Sequence, residues 1–125
     1  AGGGIITSGA AVWARGPLTA EMKPNLHALM RYAGESTLQW HPYMQRWFRI
    51  YVAGFAASSI DIWMAPEVTG PWRSAHLYDI PAPYSDSDVF FCYAAKSHPE
   101  LTRRPDEIVF TYATNSNQEL FTNDE

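Results

Sequence analysis

Two His-Pro pairs, His41-Pro42 and His98-Pro99, stand 57 residues apart, and each leads into an aromatic and β-branched run. The first run is Trp47-Phe48-Arg49-Ile50-Tyr51 and the second is Ile108-Val109-Phe110-Thr111-Tyr112, a separation of about 60. Two further matches keep the same order along the chain. Val12-Trp13-Ala14-Arg15-Gly16-Pro17 aligns with Ile62-Trp63-Met64-Ala65-Pro66, with the tryptophans 50 apart, and His27-Ala28-Leu29 aligns with His76-Leu77-Tyr78, 49 apart. A period of this length means one supersecondary unit repeated, and each unit must bury its apolar faces against its neighbours.

The content of one unit follows from local pattern. Ser36-Thr37-Leu38-Gln39-Trp40 alternates polar and apolar, as a half-buried strand does. The following link contains Pro42, which favours a turn, so residues 36–40 and 47–53 predict a hairpin. Ser59-Ile60-Asp61-Ile62-Trp63-Met64-Ala65 alternates again, and after the Thr69-Gly70-Pro71-Trp72 turn comes Ser74-Ala75-His76-Leu77-Tyr78-Asp79-Ile80. Four strands joined by short loops predict an antiparallel meander. Nine prolines and eight glycines spread along the chain exclude long helices, and the one helical stretch, 26–32, is short and preceded by Pro24.

A four-strand unit recurring every ~40–50 residues is a β-propeller blade. The expected class is therefore all-β, a propeller segment of about two blades of four-stranded antiparallel sheets. A single β-sandwich is the alternative architecture. The phase of the repeat divides residues 1–125 into a blade part at 5–33, a full blade at 34–81 and a blade part at 88–117. Two isolated blades would leave strand edges and an apolar face uncovered. The expectation is completion by the remaining blades of the same parent protein, by a companion chain or by further copies.

Composition removes several function classes. Thirteen acidic residues against nine Lys and Arg give a net charge of -4, with no basic run to follow a nucleic-acid backbone. The single cysteine, Cys92, lies in the apolar run Val89-Phe90-Phe91-Cys92-Tyr93 and reads as a buried thiol. No apolar stretch approaches the ~20 residues of a membrane-spanning helix. Ser-nucleophile, phosphate-loop and dinucleotide motifs are missing from the sequence. His27, His41, His76 and His98 are spaced by the repeat, without a Cys pair or close His pair, so no metal site and no cofactor is expected.

The stretch Ile60-Asp61-Ile62-Trp63-Met64-Ala65-Pro66-Glu67-Val68-Thr69-Gly70-Pro71-Trp72 resembles the strand, Ala-Pro, Gly-Pro-Trp signature of propeller glycosidases. Tyr93-Ala94-Ala95-Lys96-Ser97-His98-Pro99-Glu100-Leu101, with the strand from Ile108 to Asn115, resembles uncharacterised five-bladed, glycosidase-like families akin to the arabinanase and β-xylosidase propellers. The similarity covers roughly residues 35–117. It implies a secreted or cell-surface carbohydrate-active protein with carbohydrate as its partner. The activity would be glycoside hydrolysis or, as the alternative, non-catalytic binding of glycan or protein.

Glycoside hydrolysis needs two carboxyl groups flanking the scissile bond, about 5–5.5 Å apart for retention and about 6.5–9.5 Å for inversion. The functional face that the resemblance implies gathers the loops entering each inner strand. That places Glu35, beside Gly34 and between Tyr32 and Trp40, as the acid, and Asp88 as the second carboxylate. Loop carboxylates also serve as ordinary turn formers. Sugar rings stack on aromatic faces while amides and carboxylates bond their hydroxyls. Trp40, Tyr93, Asn115 and Asn117 are therefore the substrate-binding candidates, although strand tryptophans commonly pack in cores. The two His-Pro turns are expected on the opposite rim.

Overall fold

The computed structural model describes residues 5, 6, 17, 19–21, 28, 30, 34–54 and 58–117. Seven strands run in chain order: β1 (Ile5–Ile6), β2 (Leu38–His41), β3 (Arg46–Val52), β4 (Ser59–Ala65), β5 (Trp72–Asp79), β6 (Phe90–Ser97) and β7 (Phe110–Ser116). A short 3-10 turn at Pro99–Leu101 follows β6. Among the described residues there is no α-helix, and no helix long and apolar enough to cross a membrane.

Strands β2 to β5 form an antiparallel meander, with β1 added outside β5, and β6 pairs with β7 in a second sheet. The fold is all-β, a four-strand meander followed by a two-stranded second sheet. This is consistent with a propeller segment that is not closed. Ile5 pairs with Arg73 and Ile6 with Trp72, so these two residues add a short edge strand outside β5. Trp13, His27 and most of the 26–32 stretch lie outside the described residues, as does the segment 55–57.

Alternation along the strands builds a core on each face of the first sheet. Phe48, Ile50, Ile60 and Ile62 point to one face and pack with Cys92 and Ala95 of β6. Tyr51, Trp63, Ala65 and Trp72 occupy the other face. Each isoleucine or phenylalanine among them, fully buried, contributes about 1.5–3 kcal/mol of hydrophobic stabilisation. Gly70 prepares the entry to β5. Its φ of 108° lies where only glycine is comfortable, and its N–H closes the turn on Glu67 O at 2.9 Å. The turn delivers Trp72 into the interior, where Nε1 donates to Val68 O at 3.1 Å.

The two sheets are also joined by a polar latch. Ser97 N–H donates to Thr37 Oγ1 at 3.1 Å, and Ser97 Oγ donates its only hydrogen to Gln39 Oε1 at 2.7 Å. The Thr37 hydroxyl must then donate back to Ser97 Oγ, 2.7 Å away. Both hydroxyls of this latch have their donor and acceptor roles assigned by their neighbours.

Candidate functional site

A cleft of about 260 Å³ opens where the two His-Pro turns meet. The hairpin turn between β2 and β3 supplies one wall through Trp40, Pro42 and Tyr43. The loop between β6 and β7 supplies the other through Pro99, Pro105 and Glu107. Trp40 is 44% exposed and Tyr43 67% exposed, large values for aromatic side chains. The Trp40 ring lies on the opposite face of β2 from Gln39 and His41, edge-on to Trp47 with centroids 5.8 Å apart, so Tyr43 is the aromatic ring the turn offers to the cleft.

His41 fixes the distance between the walls. The backbone N–H of Met44 donates to Nδ1 at 3.3 Å, so Nδ1 is an acceptor. Nε2 therefore carries the hydrogen and donates to the Glu107 carbonyl at 3.2 Å. One buried ring thus spans both His-Pro loops, edge-on against Phe48 at 5.8 Å. Two polar groups in the cleft remain open to a ligand. Gln39 uses its Oε1 on Ser97 and keeps its amide hydrogens uncommitted among the described residues. The half-exposed Glu107 carboxylate is shared only with Arg104, at 3.5 Å.

His98 behaves differently from its counterpart. Its ring lies 2.8 Å from Glu100 Oε1 through Nδ1 and 2.8 Å from Thr111 Oγ1 through Nε2. The His98 hydrogen bond, followed by the backbone N–H of Glu100 itself, holds the Glu100 carboxyl below its ordinary value of 4.5. A carboxyl depressed on folding stabilises the fold above its unfolded pKa, and that contribution disappears as pH falls through the folded one. In a carboxyl-carbon NMR titration, Glu100 is expected to titrate below an unperturbed glutamate. His98→Ala should move the midpoint back up; an unchanged midpoint would show that His98 is not its cause.

The sequence-derived residues divide between this cleft and other places. Trp40 lines the cleft; Glu35 and Asp88 are exposed and do not. Glu35 lies on the loop entering β2, where Arg49 Nε donates to Ser36 Oγ at 2.6 Å. Asp88 belongs to a turn in which its own N–H donates to Asp86 Oδ1 at 3.1 Å. Tyr93 and Asn115 are brought together, Asn115 Nδ2 donating to Tyr93 Oη at 2.8 Å, on the face of the second sheet turned away from the first. Tyr93 stacks there on Phe91 at 5.5 Å. Asn117 anchors the turn before β6, through Nδ2 to Ser87 O at 3.3 Å and its backbone N–H to Val89 O at 2.7 Å.

Comparison with family models, curated proteins and solved structures finds no match. The site must therefore be read from its own chemistry. Among the described residues no group of three His, Cys, Asp or Glu is placed to hold a metal ion. Tyr43, Gln39 and Glu107 were not singled out from sequence. The available signal was the duplicated His-Pro turn, which marks two loops that recur together at one rim.

Proposed function

We propose that this chain is part of a carbohydrate-binding β-propeller, and that the cleft between the His-Pro turns holds a sugar residue. The observation that carries this reading is the exposed Tyr43 ring beside the uncommitted Gln39 amide and Glu107 in one small cleft. Aromatic faces accept the C–H surface of a pyranose, while Gln39 Nε2 donates to and Glu107 accepts from its hydroxyls. The volume lies just below the usual ~300–1,000 Å³ of small-molecule pockets, which suits one sugar unit of a longer chain.

The resemblance to five-bladed, glycosidase-like propellers supports the same substrate class, a secreted or surface location, and completion of the ring by further blades. Binding without hydrolysis is the better supported form. The aromatic and polar groups converge on the cleft, whereas Glu35 and Asp88 stand on exposed loops elsewhere.

Calorimetric titration with xylo- and arabino-oligosaccharides tests the proposal. Saturable binding is expected, weakened about tenfold by Tyr43→Ala, the equivalent of about 1.4 kcal/mol. Absence of binding to both sugars, or full affinity in the Tyr43→Ala protein, would refute it.

A further inference from the structure

The cleft has a charge pattern that narrows its ligand further. Among the described residues lining it, no lysine or arginine appears, and Glu107 is the one carboxylate. Arg104, outside the lining, is already engaged. It donates to both oxygens of Asp106, at 3.1 and 2.8 Å, and lies 3.5 Å from Glu107 Oε1. Two carboxylates and one guanidinium leave this trio with a net charge of -1 beside the cleft that Glu107 lines.

Resting on the reading of the cleft as a sugar site, we infer that it selects amino sugars with a free, protonated amine. Such a ligand presents its ring to Tyr43 and its ammonium to Glu107. The exposed aromatic face adds to the preference, because a ring quadrupole attracts a cation positioned over it. A uronic acid in the same orientation would set its carboxylate against Glu107 with no cation of the lining to compensate. N-Acetylated and other neutral sugars fall between the two.

Calorimetry with three oligosaccharides of equal length tests the inference: a chitosan oligomer with free amines, its N-acetylated chitin counterpart, and oligogalacturonate. At low salt and at a pH where the amine is charged, the chitosan oligomer should bind about fivefold more tightly than the chitin oligomer, as a part-exposed ion pair permits. Oligogalacturonate should be the weakest ligand. Raising the salt to about 1 M, where screening acts within about 3 Å, should compress the order. Glu107→Gln, which preserves the shape of the side chain, should remove most of the amine preference and leave only what the aromatic ring supplies.

That variant separates the local group from the protein's overall charge of -4, because a preference arising from the overall charge would survive it. Equal binding of all three sugars, or an amine preference unchanged in Glu107→Gln, overturns the inference while leaving the cleft a sugar site. Failure of every oligosaccharide to bind overturns both.

Discussion

Replacing Trp72 by alanine is expected to lower the stability of this protein by about 4 kcal/mol. Trp72 is fully buried at the start of β5 and packs with Tyr51, Trp63 and Ala65 on one face of the first sheet. Its loss removes one of the two buried tryptophans of that core and leaves a cavity that a twisted sheet cannot collapse to fill. It also deprives Val68 O of its Nε1–H partner. Against a typical total of 5–15 kcal/mol, such a change reaches a large part of the stability. Trp72→Phe retains most of the apolar volume and should cost about half as much. Urea unfolding of both variants provides the measurement. A loss under about 1 kcal/mol for the alanine variant would show that this face is not a packed core.

Ser97→Val is the second large change, expected to cost about 2 kcal/mol. Its hydroxyl is both the donor to Gln39 Oε1 and the acceptor from Thr37. Removing it strands a donor on one neighbour and an acceptor on the other between two packed sheets. The Thr37→Val, Ser97→Val double variant should be less destabilised than the sum of its single changes, because an apolar pair leaves no hydroxyl unsatisfied. Strict additivity in that cycle would show that the latch does not act as a unit. Because Ser97 and Gln39 both line the cleft, Ser97→Val should weaken sugar binding alongside stability.

The strands were legible because their chemistry is local. Residues 59–65 were expected as a strand and form β4 with the same bounds, where Ile60 and Ile62 are buried on one face and Trp63 and Ala65 on the other. The hairpins around the His-Pro turns were also expected, since proline and aromatic runs punctuate the chain clearly. Cys92 is buried, in keeping with its apolar surroundings.

The cleft was harder to anticipate because it belongs to no single element. Pro42 and Tyr43 lie in one sheet's turn, Pro105 and Glu107 in another's, and only the packing of the sheets brings them face to face. Nothing in the spacing of His41 announces that its ring bonds a carbonyl 66 positions away. Trp40 could be selected from sequence as a sugar-stacking candidate, but not as a neighbour of that cavity. Glu100 and Glu107 illustrate the same limit: one is tied to His98, the other faces the cleft, and both come from a single turn.

Apolar side chains on both faces of β3 carry a consequence for strand pairing. In a sheet with one wet face, sliding a strand by one residue exposes its greasy side and is rejected at once. Here Phe48, Ile50 and Tyr51 would find hydrocarbon on either side, so hydrophobicity alone scarcely distinguishes one offset from the next. Arg49 breaks the degeneracy. Its guanidinium reaches Ser36 and Gly34 and covers the Tyr51 ring, and a one-step slide would drive that cation between Phe48's neighbours in the opposite layer. A single buried positive charge is thus the index mark by which β3 finds its place.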